Sequence, residues 1–336
     1  MNVQSYTNAS IFEELSDEWN ALLQRSITNT PFSSVQWHSI WWEVFNPGDL
    51  WVVTIRDDGN TLRGIASMFI IDNDGTKTLH LVGCEDVTDY VDFLVDAEYA
   101  DDVFASIAQA LVDNKDKYDN IDFCNIPAES QSYTAFPEVL TENGFTTETA
   151  RQEVCPVVTL DGDFDTYLGS LDKKQRKELQ RKLRRAKGAG DSINFYIVGD
   201  EHDLDAEIEK FLDLMASSHP EKAEFLADEA NRTFMQKIIP AMRDAGWLQL
   251  NFLEVVGDPA ASYLNFIYND EVLVYNSGLD PQKAAALSPG IILLCYNIQH
   301  AIENEHGIFN FLRGDESYKY KMGGVDTEIF NLKASL

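Results

Sequence analysis

The stretch LSPGIILLCYNIQHAIENEHGIFNFLRGDESYK, residues 287–319, decides how this chain folds. Its first residues form a small turn, and the apolar periodicity that follows predicts a helix that opens at Gly290. A short strand, Ile308 to Leu312, is predicted next. The first backbone N–H groups of a helix have no partner within it, and the helix dipole makes them a seat for an anion. The stretch therefore indicates a transferase with a phosphorylated donor.

Charged residues crowd the end of that predicted strand. Asp315 and Glu316 are candidate general bases, because acyl transfer to an amine requires removal of a proton from the attacking nitrogen. Arg313 and Lys319 are candidates for holding an anionic acceptor or for stabilising the oxyanion, and Tyr318 is counted with Arg313 as acceptor-binding. The alternative is a salt-linked turn that only stabilises the strand end.

Two further residues stand at the end of the strand before the turn. Tyr275 and Ser277 could donate to the acyl carbonyl or to a leaving thiolate, although packing and edge polarity explain them equally well. The predicted donor seat consists of Ser288, Pro289, Gly290 and Ile291. Taken alone, these four are also an ordinary helix start, with a serine N-cap and a proline in the first helical position.

The composition of the 336 residues sets broad limits. Hydrophobic residues make up 44%, which is enough for packed cores in two domains. No apolar run is long enough to cross a bilayer, and no signal peptide is visible, so membrane insertion is not expected and the cytoplasm is the predicted location. The cysteines show no paired spacing and are expected to be buried thiols; they are Cys84, Cys124, Cys155 and Cys295. The histidines show no metal-binding spacing, so no metal is predicted.

The net charge of −30, from 56 acids and 26 bases, argues against nonspecific binding of nucleic acid or anionic membranes by the bulk surface. One segment departs from this background. Nine bases fall within fifteen residues: Lys173, Lys174, Arg176, Lys177, Arg181, Lys182, Arg184, Arg185 and Lys187. With Glu178 the segment carries +8, which leaves −38 on the rest of the chain. Leu179 and Leu183 lie at helical spacing, so a solvated surface helix, a phosphate-binding face and a tRNA-binding face all remain open.

The chain shows one plan twice. The first copy has predicted strands at 51–56, 62–71 and 78–82, a helix at 100–112 and a strand at 120–124. The second has strands at 248–256, 261–268 and 272–277, the helix from Gly290 and the strand from Ile308. A three-strand meander followed by a helical crossover is a mixed α/β (α+β) plan, and its repetition indicates duplication. The predicted domains are residues 1–160 and 161–336, the second beginning with the basic helix 172–188.

The first copy lacks the features of a donor site. Its helix is preceded by DAEYADD, residues 96–102, and acids at a helix start would repel a pyrophosphate. The first domain is therefore predicted to be non-catalytic. Asp89, Tyr90 and Asp92 follow a strand in this copy and are expected to line an acceptor cleft between the domains.

Several pieces, in order, resemble a known family. They are the basic stretch RKELQRKLRRA, the meander ending YNSGLD, the turn and helix LSPGIILLCYNIQHAI, and the terminal FLRGDESYKYKMG. FSSVQWHSIWWEVF and DYVDFLV resemble the N-terminal unit of the same group. Together they resemble Gcn5-related (GNAT) acetyltransferases of the branch related to the cellulose-biosynthesis protein CelD, which is akin to the FemAB aminoacyltransferases. The resemblance covers nearly the whole chain.

The resemblance implies tandem GNAT-like domains and an acyl-coenzyme A donor, with acetyl as the first expectation. The acceptor would be an amine or hydroxyl of a small molecule, a sugar or a cell-envelope precursor, attacked directly. Two alternatives stay open: a FemAB-type transferase that uses aminoacyl-tRNA, and a degenerate binding protein without catalysis. The sequence indicates neither the acceptor nor an oligomeric state.

Overall fold

The computed structural model describes residues 1–84, 87–283 and 287–336. The chain divides into two compact units: unit 1 is Met1–Val154 with Thr327–Leu336, and unit 2 is Cys155–Asp326. This division differs from the predicted domains chiefly at the carboxyl terminus. The final residues form a strand that pairs with a strand of unit 1, as in Leu332 with Phe123. Such a long-range return of the chain leaves no local sequence signal.

The strands, in chain order, are β1 Asn2–Tyr6, β2 Asp49–Arg56, β3 Leu62–Asn73, β4 Thr76–Leu81, β5 Leu94–Val95, β6 Asn120–Pro127, β7 Thr146–Thr159, β8 Ile193–Ile197, β9 Leu248–Val255, β10 Asp258–Tyr268, β11 Glu271–Leu279, β12 Ile308–Asn310 and β13 Val325–Ser335. The α-helices are α1 Ser10–Glu14, α2 Ser16–Leu23, α3 Val35–Phe45, α4 Ala100–Asp113, α5 Gln131–Thr134, α6 Phe136–Glu142, α7 Phe164–Ser170, α8 Lys173–Gly188, α9 Leu204–Ser218, α10 Pro220–Ala227, α11 Glu229–Asp244, α12 Pro289–Glu303 and α13 Ser317–Lys321.

In unit 1, strands β2, β3 and β4 form an antiparallel meander. Helix α4 then crosses over to β6, which lies parallel to β4 with Thr78 opposite Asn120. Apolar residues of α4 recur at helical spacing and pack with the sheet into one core, in which Phe93 and Phe123 meet edge to face. The crossover through α4 thus joins the meander to β6 and covers one face of the sheet in unit 1.

Unit 2 repeats the arrangement. Strands β9, β10 and β11 form the meander, and α12 crosses over to β12, which lies parallel to β11 with Glu271 opposite Ile308. Strand β8 pairs with β9, and β12 also pairs with the last residues of β7. Helices α8 and α12 share one core with β10 and β11. The predicted mixed α/β fold, with the plan present in tandem, is confirmed.

The expectation that all four cysteines are thiols is wrong. Cys84 and Cys124 form a disulfide, with their Cα atoms 5.7 Å apart. Cys84 follows β4 and Cys124 lies on β6, and these two strands are parallel neighbours. The two cysteines are 40 positions apart in the sequence, so their spacing did not predict that they lie close together. Cys155 and Cys295 are buried and lie outside this disulfide, as expected.

Two helical regions have details that the residue pattern alone does not give. The apolar helical pattern from Ile11 to Gln24 forms two helices, α1 and α2, with Leu15 between them. His219, whose sequence context before Pro220 is that of a capping or loop residue, is the N-cap of helix α10, and Pro220 lies in the first turn of that helix. Among the described residues no helix is long and apolar enough to cross a membrane.

Candidate functional site

The sheet of unit 2 opens between β11 and β12. The two strands pair only from Glu271 to Leu273, against Ile308 to Asn310. Strand β11 continues to Leu279, whereas the chain after β12 turns at Leu312, whose φ is +57°. The carboxyl half of β11 thus has one side that is not covered by its parallel neighbour. A gap of this kind can receive an extended ligand that bonds to the strand edge.

A β-bulge lies within the part of β11 that does not pair with β12. The register with β10 shifts between the pairs Leu264–Asn276 and Asn265–Val274, so the irregularity falls at Tyr275. The ring of Tyr275 stacks on Phe266, with centroids 5.0 Å apart. Bulges redirect backbone and side-chain groups locally and are frequent beside active sites. Tyr275 and Ser277, both predicted site residues, therefore lie at the opening of the sheet.

Helix α12 begins beside the end of β11. Pro289 is its first residue, and no described residue accepts a hydrogen bond from the Gly290 N–H. Ser288 has a left-handed conformation, with φ of 56°, and its hydroxyl does not cap the helix. Among the described residues, a Cβ atom at Gly290 would meet only Leu279, at 3.5 Å. Toward this part of the chain the backbone at Gly290 is therefore uncovered, as a phosphate needs for close approach.

The basic helix supplies a cation at this point. Lys182 donates from Nζ to Ser288 Oγ at 2.5 Å. Leu179, Leu183 and Ala186 pack in the same core as α12, which fixes the rotation of α8. Of the other eight cations Arg176 is half-buried, and seven form an exposed face: Lys173, Lys174, Lys177, Arg181, Arg184, Arg185 and Lys187. Lys182 is thus the basic residue that the packing of α8 directs to the start of α12.

The loop after β12 is organised around Lys319. This side chain is 2% exposed, and its Nζ donates to the carbonyl oxygens of Leu312, Arg313 and Gly314 at 2.7 to 3.0 Å. It also lies 2.9 Å from a carboxylate oxygen of Glu316. An ammonium has three protons, so these contacts occupy it fully. The structure therefore places Lys319 as the internal cation of the loop, whereas the sequence analysis proposed it as catalytic.

Glycine is required within this loop. Gly314 has a φ of +114°, and a Cβ atom there would lie 2.5 Å from a carboxylate oxygen of Glu316. Asp315 and Glu316 are exposed beside it, and Arg313 is half-buried. The run FLRGDESYK thus encodes one turn that presents carboxylates to solvent around a buried lysine.

Two phenols lie near Glu316. Burial raises the pKa of Tyr263, and the neighbouring Cys295 thiol and Glu316 carboxylate raise it further. Burial also raises the pKa of Tyr318, to which Tyr263 and Glu316 contribute, and its ring packs edge to face on Phe311. Both phenols therefore stay protonated and can act as hydrogen-bond donors.

A lysine that sequence reasoning missed lies at the same strand. Lys222 of α10 donates from Nζ to Asn276 Oδ1 at 2.8 Å and to the Ser277 carbonyl oxygen at 2.6 Å. Burial lowers the pKa of Lys222 to about 8; Glu316 acts to raise it and Lys319 to lower it. The His219-Pro220 pair is a sequence signal for the start of α10. The contact of Lys222 with β11, in contrast, exists only in the folded chain.

The predicted acceptor residues of unit 1 lie in its interior. Asp92 accepts hydrogen bonds from the hydroxyls of Thr28, Ser130 and Ser132, and burial raises its pKa. Asp89 and Tyr90 are each 9% exposed. Contact of these residues with an acceptor stays a prediction.

A buried acid lies just before α4 in unit 1. Asp96 is 2% exposed and accepts from Arg25 Nε at 3.1 Å and Arg63 Nη1 at 2.8 Å. It also caps the short 3-10 helix Ala97–Tyr99 through the Glu98 N–H. Burial alone would raise the pKa of Asp96, but the two guanidinium groups outweigh burial and lower it. Unit 1 therefore carries a buried carboxylate in the short helix that leads into α4, and the first turn of α4 adds the acids Asp101 and Asp102.

Covalent catalysis finds no support at Cys295. This thiol lies in the second turn of α12, and burial raises its pKa to about 12. A thiol must ionise to act as a nucleophile, so Cys295 is a packing residue. In the described parts of the chain, no cluster of His, Cys, Asp or Glu has the arrangement needed to hold a metal ion.

Comparisons with known proteins agree with this geometry. Residues 173–320 match the family model of the acetyltransferase (GNAT) domain. The solved structure of FemX is 12% identical, covers 98% of this chain and 97% of its own, and superposes with a TM-score of 0.68. The C-terminal domain of a putative lysylphosphatidylglycerol synthetase from Agrobacterium fabrum is also 12% identical, with 96% and 92% covered and a TM-score of 0.56.

A third structure is a tandem GNAT protein from the clavulanic acid biosynthesis pathway. It is 11% identical, covers 98% of each chain and has a TM-score of 0.50. No curated protein matches the chain. At these identities the solved structures show the shared fold alone. The resemblance drawn from sequence motifs is confirmed: residues 173–320 form a GNAT acetyltransferase-family domain, in a chain whose tandem fold is that of FemX and of a tandem GNAT protein.

Proposed function

We propose that this protein moves an acyl group, acetyl in the first instance, from acyl-coenzyme A to an amine or hydroxyl acceptor. The acceptor class that we propose is a small molecule, a sugar or a cell-envelope precursor. Transfer takes place in unit 2 by direct attack of the acceptor on the thioester. Unit 1 is proposed to be non-catalytic, because acids lie before α4 (Asp96) and in its first turn (Asp101 and Asp102), where they would repel a phosphate.

The observation that carries the proposal is the convergence of three features at one end of unit 2. The uncovered half of β11 contains a bulge, α12 begins with bare backbone at Gly290, and Lys182 reaches that helix start. An elongated donor with a pyrophosphate matches this arrangement. The phosphates would meet the Gly290 N–H, the positive end of the α12 dipole and Lys182, and the thioester arm would lie along β11.

The residues around the loop after β12 would serve the acceptor. Glu316 or Asp315 would take the proton from the attacking nitrogen, because both carboxylates are exposed at the end of β12. Tyr275 and Ser277 are proposed to face the acyl carbonyl or the departing thiolate from β11. Arg313 and Tyr318 are proposed to hold the acceptor. Lys319 supports this loop through three carbonyl groups and adds positive potential to the site.

A second candidate is transfer from aminoacyl-tRNA. The observation in its favour is the exposed cationic face of α8. The same helix carries Lys182 to the start of α12, so a polyanion bound along α8 would lie next to the proposed donor site. Phosphodiester backbones bind such stripes through counterion release, so this binding would weaken steeply with salt. The fold shared with FemX is compatible with this candidate.

Calorimetry separates the candidates. We expect the purified protein to bind acetyl-coenzyme A with one site per chain. Salt-sensitive binding of tRNA, without any heat from acetyl-coenzyme A, would overturn the acyl-coenzyme A proposal in favour of the second candidate. Absence of binding to both would leave a fold without catalysis and would contradict both proposals.

A further inference from the structure

We infer that Lys222 is a positioning residue of the transfer site: its ammonium fixes the end of β11 in the geometry that acyl transfer uses. This inference rests on the proposed function, since it requires β11 to line the place where the acyl group reacts. It also assigns a task to a residue outside the GNAT motifs discussed above.

The contacts of Lys222 converge on two consecutive residues. Its Nζ donates to Asn276 Oδ1 at 2.8 Å, to the Ser277 carbonyl oxygen at 2.6 Å and to Ser277 Oγ at 3.4 Å. These acceptors follow directly after the bulge at Tyr275. Because a charged donor holds a backbone carbonyl and the neighbouring side chains together, the orientation of the peptide groups beyond the bulge is restricted. Lys222 thus acts on the part of β11 that lies at the opening of the sheet.

The location is costly for a cation. Lys222 stands in the first turn of α10, after the N-cap His219, and the dipole of a helix disfavours positive charge there. Burial lowers the pKa of Lys222 to about 8. An apolar side chain of similar length would join α10 to β11 without this cost. Charges retained in unfavourable surroundings beside a cleft are typical of functional sites.

Few charges act on this ammonium. Glu316 and Lys319, from the loop after β12 and from α13, raise and lower its pKa respectively. On its own helix, Glu221 is largely exposed and His219 accepts from the Glu221 N–H. No charged side chain of α9 or α11, the helices packed against α10, is among the causes of the shift for the described residues. The charge state of Lys222 is therefore coupled to the loop that carries the proposed base.

Positioning has a measurable consequence. A donor or strand displaced by about 1 Å can slow a reaction about 100-fold while substrate binding persists. Above pH 8 Lys222 loses a proton and so loses one of its donors. We expect turnover to fall there, with little change in donor affinity.

The test uses the full chain with acetyl-coenzyme A as donor and hydroxylamine as a probe acceptor, and it follows release of the coenzyme A thiol above the uncatalysed rate. We expect Lys222→Met to lower kcat by about 30-fold or more, while the Kd for acetyl-coenzyme A changes less than about threefold. Lys222→Arg should restore most of kcat and move the alkaline decline to higher pH, because a guanidinium stays protonated. Lys237→Met, an exposed change in α11, is the control.

Hydrogen exchange of the amides from residue 274 to 279 supplies a readout that needs no turnover. Faster exchange in Lys222→Met than in Lys237→Met would support the inference even if the parent binds no acetyl-coenzyme A, an outcome that would overturn the proposed donor alone. Unchanged exchange overturns the inference, as does a parent that transfers acetyl groups with a Lys222→Met variant of equal kcat.

Discussion

The helix that follows the three-strand meander begins differently in the two units. In unit 1, α4 starts after Asp96, which two arginines neutralise inside the fold. In unit 2, α12 starts at Pro289 and Gly290, where no side chain caps the helix and Lys182 contacts Ser288. Both helix starts favour negative charge, since both carry the positive end of a helix dipole. Unit 1 has acids of its own before α4 and in its first turn, Asp96, Asp101 and Asp102, whereas the first turn of α12 in unit 2 has none.

The units also place their buried charges differently. Unit 1 holds an anion before its crossover helix, and unit 2 holds the cation Lys319 after its crossover strand.

The largest effect is expected for Lys319→Met. Removing the ammonium leaves three carbonyl groups and Glu316 without their donor, and breaking a buried charged contact costs about 3 kcal/mol or more. Urea unfolding of unit 2, followed by hydrogen exchange, measures the loss. The control is Lys321→Met, since Lys321 is exposed and its Nζ donates to the Ser317 hydroxyl at 3.4 Å, with no other side-chain hydrogen bond to the described residues. Equal stability of the two variants would contradict the internal role of Lys319.

Asp96→Asn is expected to destabilise unit 1 by about 2 kcal/mol, because hydrogen bonds between charged groups contribute about 1.5 to 3 kcal/mol. The folded-state pKa of Asp96 is lowered, so its contribution is fully present above the unfolded pKa of about 3.9 and is lost as pH falls through the folded value. The difference in stability between parent and variant should therefore shrink in acid. Thermal unfolding between pH 7 and pH 2 measures it, with the exposed Asp116→Asn as control. A difference that is constant with pH would exclude the ion pairs as its source.

Lys182→Gln should have the smallest effect of the three. We expect a loss of about fivefold in affinity for acetyl-coenzyme A, about 1 kcal/mol, and a weaker dependence of binding on salt. Arg184→Gln is the matched control, because Arg184 is exposed and its Nε donates only to the carbonyl of Gln180 in its own helix. An equal loss in both variants would indicate that the whole face of α8, and not the contact at Ser288, binds the donor.

The sequence predicted the tandem plan because each meander and crossover helix follows from local periodicity and turn residues. It also located the start of α12, because a proline in the first helical position can be recognised from the sequence alone. Contacts between segments that are distant in the sequence could not be predicted from it. The Cys84–Cys124 disulfide and the reach of Lys222 to β11 depend on strands and helices that meet only in the folded chain.

The role of Lys319 shows a second limit. A cluster of charges in sequence indicates a site, but it does not indicate which charges face inward. The left-handed residue Leu312 and the glycine at 314 turn three carbonyl groups onto one ammonium, and that geometry depends on φ values that no residue pattern specifies alone.

The central claim is that the start of α12 receives the phosphates of the donor, and Gly290→Asp tests it most directly. This change gives unit 2 an acidic helix start like that of unit 1. The fold should tolerate it, because a Cβ atom there meets only Leu279 at 3.5 Å and acids near a helix start are favourable. Gly169→Asp, on α7 with nothing within 4 Å of its Cβ position, is the control.

The measurement is calorimetric titration of acetyl-coenzyme A into the parent and both variants. We predict a loss of more than tenfold in affinity for Gly290→Asp, about 1.4 kcal/mol or more, and unchanged affinity for Gly169→Asp. A folded Gly290→Asp protein that binds acetyl-coenzyme A as tightly as the parent would contradict the donor site.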